Sequence, residues 1–125
     1  MASPSIEIDN KFGYIDKTGR VVIQPQFDFA FSFREGLAAV WRNKKWGYIN
    51  QTGEVVIQPQ FDSADGFAEG LAVVKIGKQY GYIDQTGKII IQPLFDIAFD
   101  FSEGIASVGL GKKLRYIDKT GKFIY

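Results

Sequence analysis

Six acidic side chains recur at fixed spacing and are the residues best placed by type and repetition to do chemistry. Asp28, Asp62 and Asp96 each follow a Phe, and Glu35, Glu69 and Glu103 each precede a Gly. Glycoside hydrolysis needs two carboxylates facing one cleft in differing environments. Other catalytic chemistries are poorly served, because the chain has no His and no Cys. That removes the commonest general base, Ser/Cys–His pairs, thiolates, zinc–thiolate sites and most transition-metal ligand sets. Identical acids in each copy of a repeat are spread along an array, so their expected role is to accept hydrogen bonds from turn and backbone N–H groups. No catalytic residue and no cofactor is expected. A calcium loop gathers several oxygen ligands, whereas the recurring Asp-Lys-Thr-Gly turn has one acid beside a Lys, so no metal site is expected either. Neither phosphate-loop pattern, Gly-X-X-X-X-Gly-Lys-Ser/Thr or Gly-X-Gly-X-X-Gly, occurs.

The elements that position these residues follow from a period of 34 residues. Gly13, Gly47 and Gly81 each precede Tyr-Ile-Asp/Asn, then Lys/Gln-Thr-Gly and an apolar run ending in Ile-Gln-Pro; a partial fourth copy starts at Arg115. Such self-similarity marks modules that bury a core only against their neighbours. Helix pairs can share this period, but several Gly and a central Pro per unit oppose helix. The runs Val21–Ile23, Val55–Ile57 and Ile89–Ile91 are wholly β-branched and short, which favours strands. In one unit the spacing predicts strands over Lys45–Ile49, Glu54–Gln58 (ended by Pro59) and Leu71–Lys75, the last running into the next unit. The first two are joined by a tight turn. Asx at its start can bond the backbone two residues on, and Gly at its end can take a left-handed conformation. These turn residues are Asp16 with Gly19, Asn50 with Gly53, Asp84 with Gly87, and Asp118 with Gly121.

Cutting at the Gln-Pro segments divides the chain into four three-stranded antiparallel meanders, about 6–23, 37–57, 71–91 and 105–125. A disordered tail is expected over 1–5, followed by a single all-β domain over 6–125. An open solenoid or superhelix is favoured over a closed four-bladed, propeller-like ring, because the blades are completed locally and not by strands from both termini.

The stretch Lys-Trp-Gly-Tyr-Ile-Asn-Gln-Thr-Gly at 45–53, followed by Val-Ile-Gln-Pro-Gln-Phe-Asp and Phe-Ala-Glu-Gly-Leu-Ala-Val-Val, resembles the WG (or KWG) repeat of bacterial proteins. The resemblance covers residues 6–125. Phe12, Tyr80 and Leu114 stand at the Trp position of the other copies, and Arg115 replaces the Gly of the last. What the resemblance implies is a β repeat module of variable copy number, and it carries over no catalytic residue.

Bulk composition narrows the partners. Fifteen Lys+Arg against 14 Asp+Glu, with no basic run beyond Lys44-Lys45 and Lys112-Lys113, gives no electrostatic footprint for nucleic acid. No apolar run approaches the ~18 residues of a membrane span, and the N-terminus lacks the basic and apolar regions of a signal peptide. A soluble protein, cytoplasmic by default, is expected. If recurring residues are scaffold, binding belongs where copies differ. Phe31, Trp41 and Phe99 are large apolar residues where another copy has Asp, Lys or Gly, and they are the candidate binding residues. The expected role is a non-catalytic interaction module for a protein or surface glycan, with monomer and self-association both open. A structural spacer or a fragment of a longer repeat protein is the alternative, and a glycan-directed enzyme comes last.

Overall fold

Short β-branched runs bounded by Gly and Asx turns can satisfy their backbone groups only in ladders, and the fold is built from these. The computed structural model describes residues 5–125. Among them there is no helix; the chain is all-β. The disordered tail expected over 1–5 falls on residues 1–4, outside the described range, and on Ser5, the first residue of a strand.

The strands group into four antiparallel sheets, none closed into a barrel. The first holds β1 (Ser5–Ile8), β2 (Lys11–Ile15) and β3 (Val21–Phe27). The second holds β4 (Phe29–Ala30), β5 (Ala38–Arg42), β6 (Lys45–Ile49) and β7 (Val55–Phe61). The third repeats it with β8 (Ser63–Ala64), β9 (Ala72–Ile76), β10 (Gln79–Ile83) and β11 (Ile89–Phe95). The fourth holds β12 (Ile97–Ala98), β13 (Ile105–Leu110) and β14 (Lys113–Asp118). Two sheets thus gain a short fourth strand from what the sequence reads as a linker. The chain forms two compact units that divide between Phe61 and Asp62, each containing two sheets.

Pro does not end the strand, contrary to the sequence expectation of a stop at Pro59. β7 runs through it to Phe61. Tyr48 pairs with Ile57 and Trp46 with Phe61, so Gly47 alone faces the three residues Gln58, Pro59 and Gln60. This bulge needs no ladder N–H from Pro and lies directly on the Gly. A Cβ on Gly13, Gly47 or Gly81 would sit 2.3, 2.6 or 2.5 Å from the carbonyl oxygen of Ile23, Ile57 or Ile91. Gly and Ile-Gln-Pro are therefore two halves of one contact.

The bulge also aims the core. It returns Phe27, Phe61 and Phe95 to the buried face beside the fully buried Tyr14, Tyr48 and Tyr82. In the first unit Tyr14, Ile23, Phe27, Val40 and Ile49 form one cluster, with Phe33 against Tyr14 at 4.8 Å. The second unit repeats this with Tyr82, Ile91, Phe95, Val108 and Ile117, and Phe101 lies 4.9 Å from Tyr82.

Candidate functional site

Several of the recurring acids accept hydrogen bonds from backbone N–H groups. In the tight turn, one Asp16 carboxylate oxygen accepts from the Thr18 N–H at 2.9 Å, the Thr18 hydroxyl at 2.6 Å and the Arg20 N–H at 3.1 Å, while Gly19 has φ 89°. Asp84 and Asp118 are bonded in the same way, and Asn50 shows that an amide oxygen suffices. The Thr18 hydroxyl bond, followed by the Arg20 N–H, lowers the Asp16 carboxyl to about 2. Asp62 and Asp96 each accept from the first residue of the following hairpin turn, Gly77 and Gly111, at 2.7 Å. Asp28 pairs with Lys11.

The Glu-Gly pairs are two-residue hairpin turns with φ positive at both positions, 53° and 82° at Glu69-Gly70. Asn would take this conformation at less cost than Glu. The longer side chain does something Asn could not. The Glu69 carboxylate reaches the next copy of its own turn and accepts from the N–H groups of Glu103 at 2.6 Å and Gly104 at 2.9 Å, with Lys119 at 3.5 Å. Those partners, led by the Gly104 N–H, hold it below the ordinary carboxylate value. A second tie between sheets comes from tyrosine. Tyr14 donates to the Phe31 carbonyl and Tyr82 to the Phe99 carbonyl, both at 2.6 Å, and burial pushes both phenols upward. Among the described residues, no cluster of three or more Asp, Glu, His or Cys could hold a metal ion.

A different surface arises where the copies differ. One row crosses each sheet at the same register: Glu7–Phe12–Phe27, then Phe29–Trp41–Trp46–Phe61, then Ser63–Lys75–Tyr80–Phe95, then Ile97–Gly109–Leu114. Only in the second sheet is the row aromatic throughout. Phe29 lies 5.4 Å from Trp41 and 6.2 Å from Phe12, and Phe31 stacks on Trp46 at 4.8 Å with 17° between the planes. Phe29 is 52% exposed and Phe31 45%. Phe31 and Trp41, two of the three sequence candidates, thus share one surface of the first unit. Phe99 belongs to the second unit and contacts no ring among the described residues, although it is 48% exposed. Sequence reasoning missed Phe12, Phe29 and Trp46. The contrast of Phe29 with Ser63 and Ile97 was a usable signal, whereas Trp46 sits at a position that reads as scaffold.

Four antiparallel sheets of recurring sequence, with backbone-directed side chains tying sheets within each unit, define a β repeat protein. The family model for the WG containing repeat matches residues 12–46, 46–80 and 80–113, and the chain belongs to that family. A comparison with curated proteins finds no match. The structure has no helix long and apolar enough to cross a membrane among its described residues.

Proposed function

We propose that the chain is a non-catalytic interaction module that binds a partner protein through the aromatic row of its first unit. The observation that carries this reading is the cluster of Phe29, Phe31, Trp41 and Trp46 on one surface, with both Phe rings about half exposed. Large rings that stay partly in water lose apolar contact with solvent when a partner covers them, and such residues dominate protein interfaces. A protein partner is favoured over a glycan by the ring geometry. A sugar lies on a flat, open ring face, but Phe31 gives one face to Trp46, and Phe29 is tilted 45° to Trp41. Tilted rings instead leave notches that take apolar side chains. The recurring acids support non-catalysis, since those above spend their oxygens on backbone N–H groups or, for Asp28, on Lys11.

The chain's two tryptophans both lie in this row, so intrinsic fluorescence reports on it directly. Affinity capture followed by fluorescence titration with the captured protein is the test. The expected result is a shifted tryptophan emission on binding, with capture lost in Phe31→Ala and Trp41→Ala chains that still melt cooperatively. Capture unaffected by both changes would overturn the site. Binding to a glycan array with the same sensitivity to Trp41→Ala would replace the protein reading.

A further inference from the structure

The second unit contains an apolar cleft of about 380 Å³ beside β11, at the low end of the roughly 300–1,000 Å³ typical of ligand sites. Ile90, Leu94, Phe95, Leu110 and Phe123 supply its apolar walls. The same place two repeats earlier, in the first unit, is built on the same backbone. There Ile23 lies 3.4 Å from where a Cβ on Gly53 would be, and here Ile91 lies 3.3 Å from the same point on Gly121.

What differs is the roof. In the first unit the Arg42 guanidinium lies 5.0 Å over the Phe27 ring and donates to the Gln26 side-chain Oε1 at 2.9 Å. At the corresponding positions the second unit has Leu110 for Arg42, Leu94 for Gln26 and Phe123 for Val55. All three exchanges put apolar groups at the lip: Phe123 stands T-shaped against the Phe95 ring with centroids 6.3 Å apart, and Leu94 is 60% exposed. Arg115 lies over the Phe123 ring of this wall at 4.3 Å, with Nε donating to the Tyr125 carbonyl at 2.7 Å.

We propose that this cleft binds a small, uncharged, apolar molecule against the exposed parts of Ile90, Leu94 and Phe123, at a lip that the first unit makes polar with Gln26 and Arg42. No lining residue is charged, so an ionic ligand would lose its hydration without gaining a partner. The Thr120 hydroxyl is already bonded to Asp118 and the Gly121 N–H to the Asp118 carbonyl. Gln92 is the lining residue with an uncommitted amide, so the ligand carries at most one hydrogen-bonding group facing the protein.

The test uses N-phenyl-1-naphthylamine, a neutral fluorophore that brightens in apolar surroundings, titrated into the intact chain. One site is expected, with methyl NMR shifts at Ile90, Leu94 and Leu110. Grafting the first unit's roof, as Leu94→Gln with Leu110→Arg, should weaken binding at least tenfold. The reciprocal Gln26→Leu with Arg42→Leu should raise the stoichiometry from one to two. Positions 94 and 26 are exposed, whereas 110 and 42 are half-buried and Leu110 packs on the core, so a cooperative melt of each variant is required beside the titration. Unchanged affinity in the graft overturns the proposal, as does probe binding that quenches Trp41 and Trp46 in place of shifting the cleft methyls. A native dimer in sedimentation that the graft dissociates would make a second copy the occupant, and would overturn it too.

Discussion

Replacing Gly47 by Ala should be strongly damaging to the first unit. The new Cβ would meet the Ile57 oxygen at 2.6 Å, the Pro59 nitrogen at 2.7 Å and the Gln58 carbonyl carbon at 2.9 Å. Against the about 3.5 Å of an unstrained contact, each is short by about 0.6–0.9 Å. All three atoms are backbone, so no rotamer change relieves them. The bulge must lift, and with it the pairing that seats the 2% exposed Phe61. Overpacking against rigid surroundings costs about 3 kcal/mol, the upper end of its usual range. Gly36→Ala is the control. There nothing lies within 4 Å of the added carbon, and only the left-handed φ of 82° is strained, at about 1 kcal/mol. With an m-value of about 2 kcal/mol/M in urea, the two variants should differ in midpoint by about 1 M. Trp41 and Trp46 emission reads this unfolding in the unit that holds both glycines. Equal midpoints, or a smaller loss at position 47, would refute the idea that Gly is there to receive the Gln-Pro bulge.

Three further outcomes follow from the ties between and within sheets. Tyr82→Phe leaves the Phe99 carbonyl without its donor and should destabilise the chain by about 1–2 kcal/mol in thermal or urea melts; a neutral effect would show the bond to be idle. Asp16 falls from 3.8 unfolded to about 2 folded, and Asp84 and Asp118 are lowered by the matching Thr hydroxyls. Groups lowered on folding stabilise above the unfolded value, so this contribution is intact above about pH 4 and lost towards about pH 2. Changing all three to Asn, the residue already at position 50, should flatten stability across that window, and an unaltered acid slope would count against these turns as its source. Glu69→Ala should speed hydrogen exchange at the Glu103 and Gly104 amides while sparing the ladders of β9 and β10, whereas unchanged protection there would show that the carboxylate does not cap that turn.

Much of the fold was legible because its signals are local. Val55–Ile57 reads as strand from side-chain branching, and Asp16–Gly19 as a turn from Asx and Gly chemistry. Pro59 misled because the rule that Pro ends a strand assumes a regular ladder. Its place in a bulge depends on Gly47, which lies in the facing strand. Strands as short as Phe29–Ala30 carry no periodicity, so they read as linker until the partner residues Trp41 and Val40 are seen. The candidate site was half legible for the same reason. Comparing copies picks out Phe31 and Trp41 one position at a time. That Phe29 and Trp46 complete the surface is a fact about cross-strand register. Phe99 shows the converse, since a large residue at a variable position joins a surface only when its neighbours are also aromatic.

In the function proposed above, recurring positions build the sheets and the varying row carries the interaction. The most direct measurement moves the third sheet's row into the second, as Phe29→Ser, Trp41→Lys and Trp46→Tyr in one chain, and repeats affinity capture against the native protein. These residues already occupy the same register on β8, β9 and β10, so the backbone accepts them. The predicted result is a cooperatively folded chain that retains none of the native chain's partner. A folded chain that captures the same partner undiminished would show that the row does not carry the interaction.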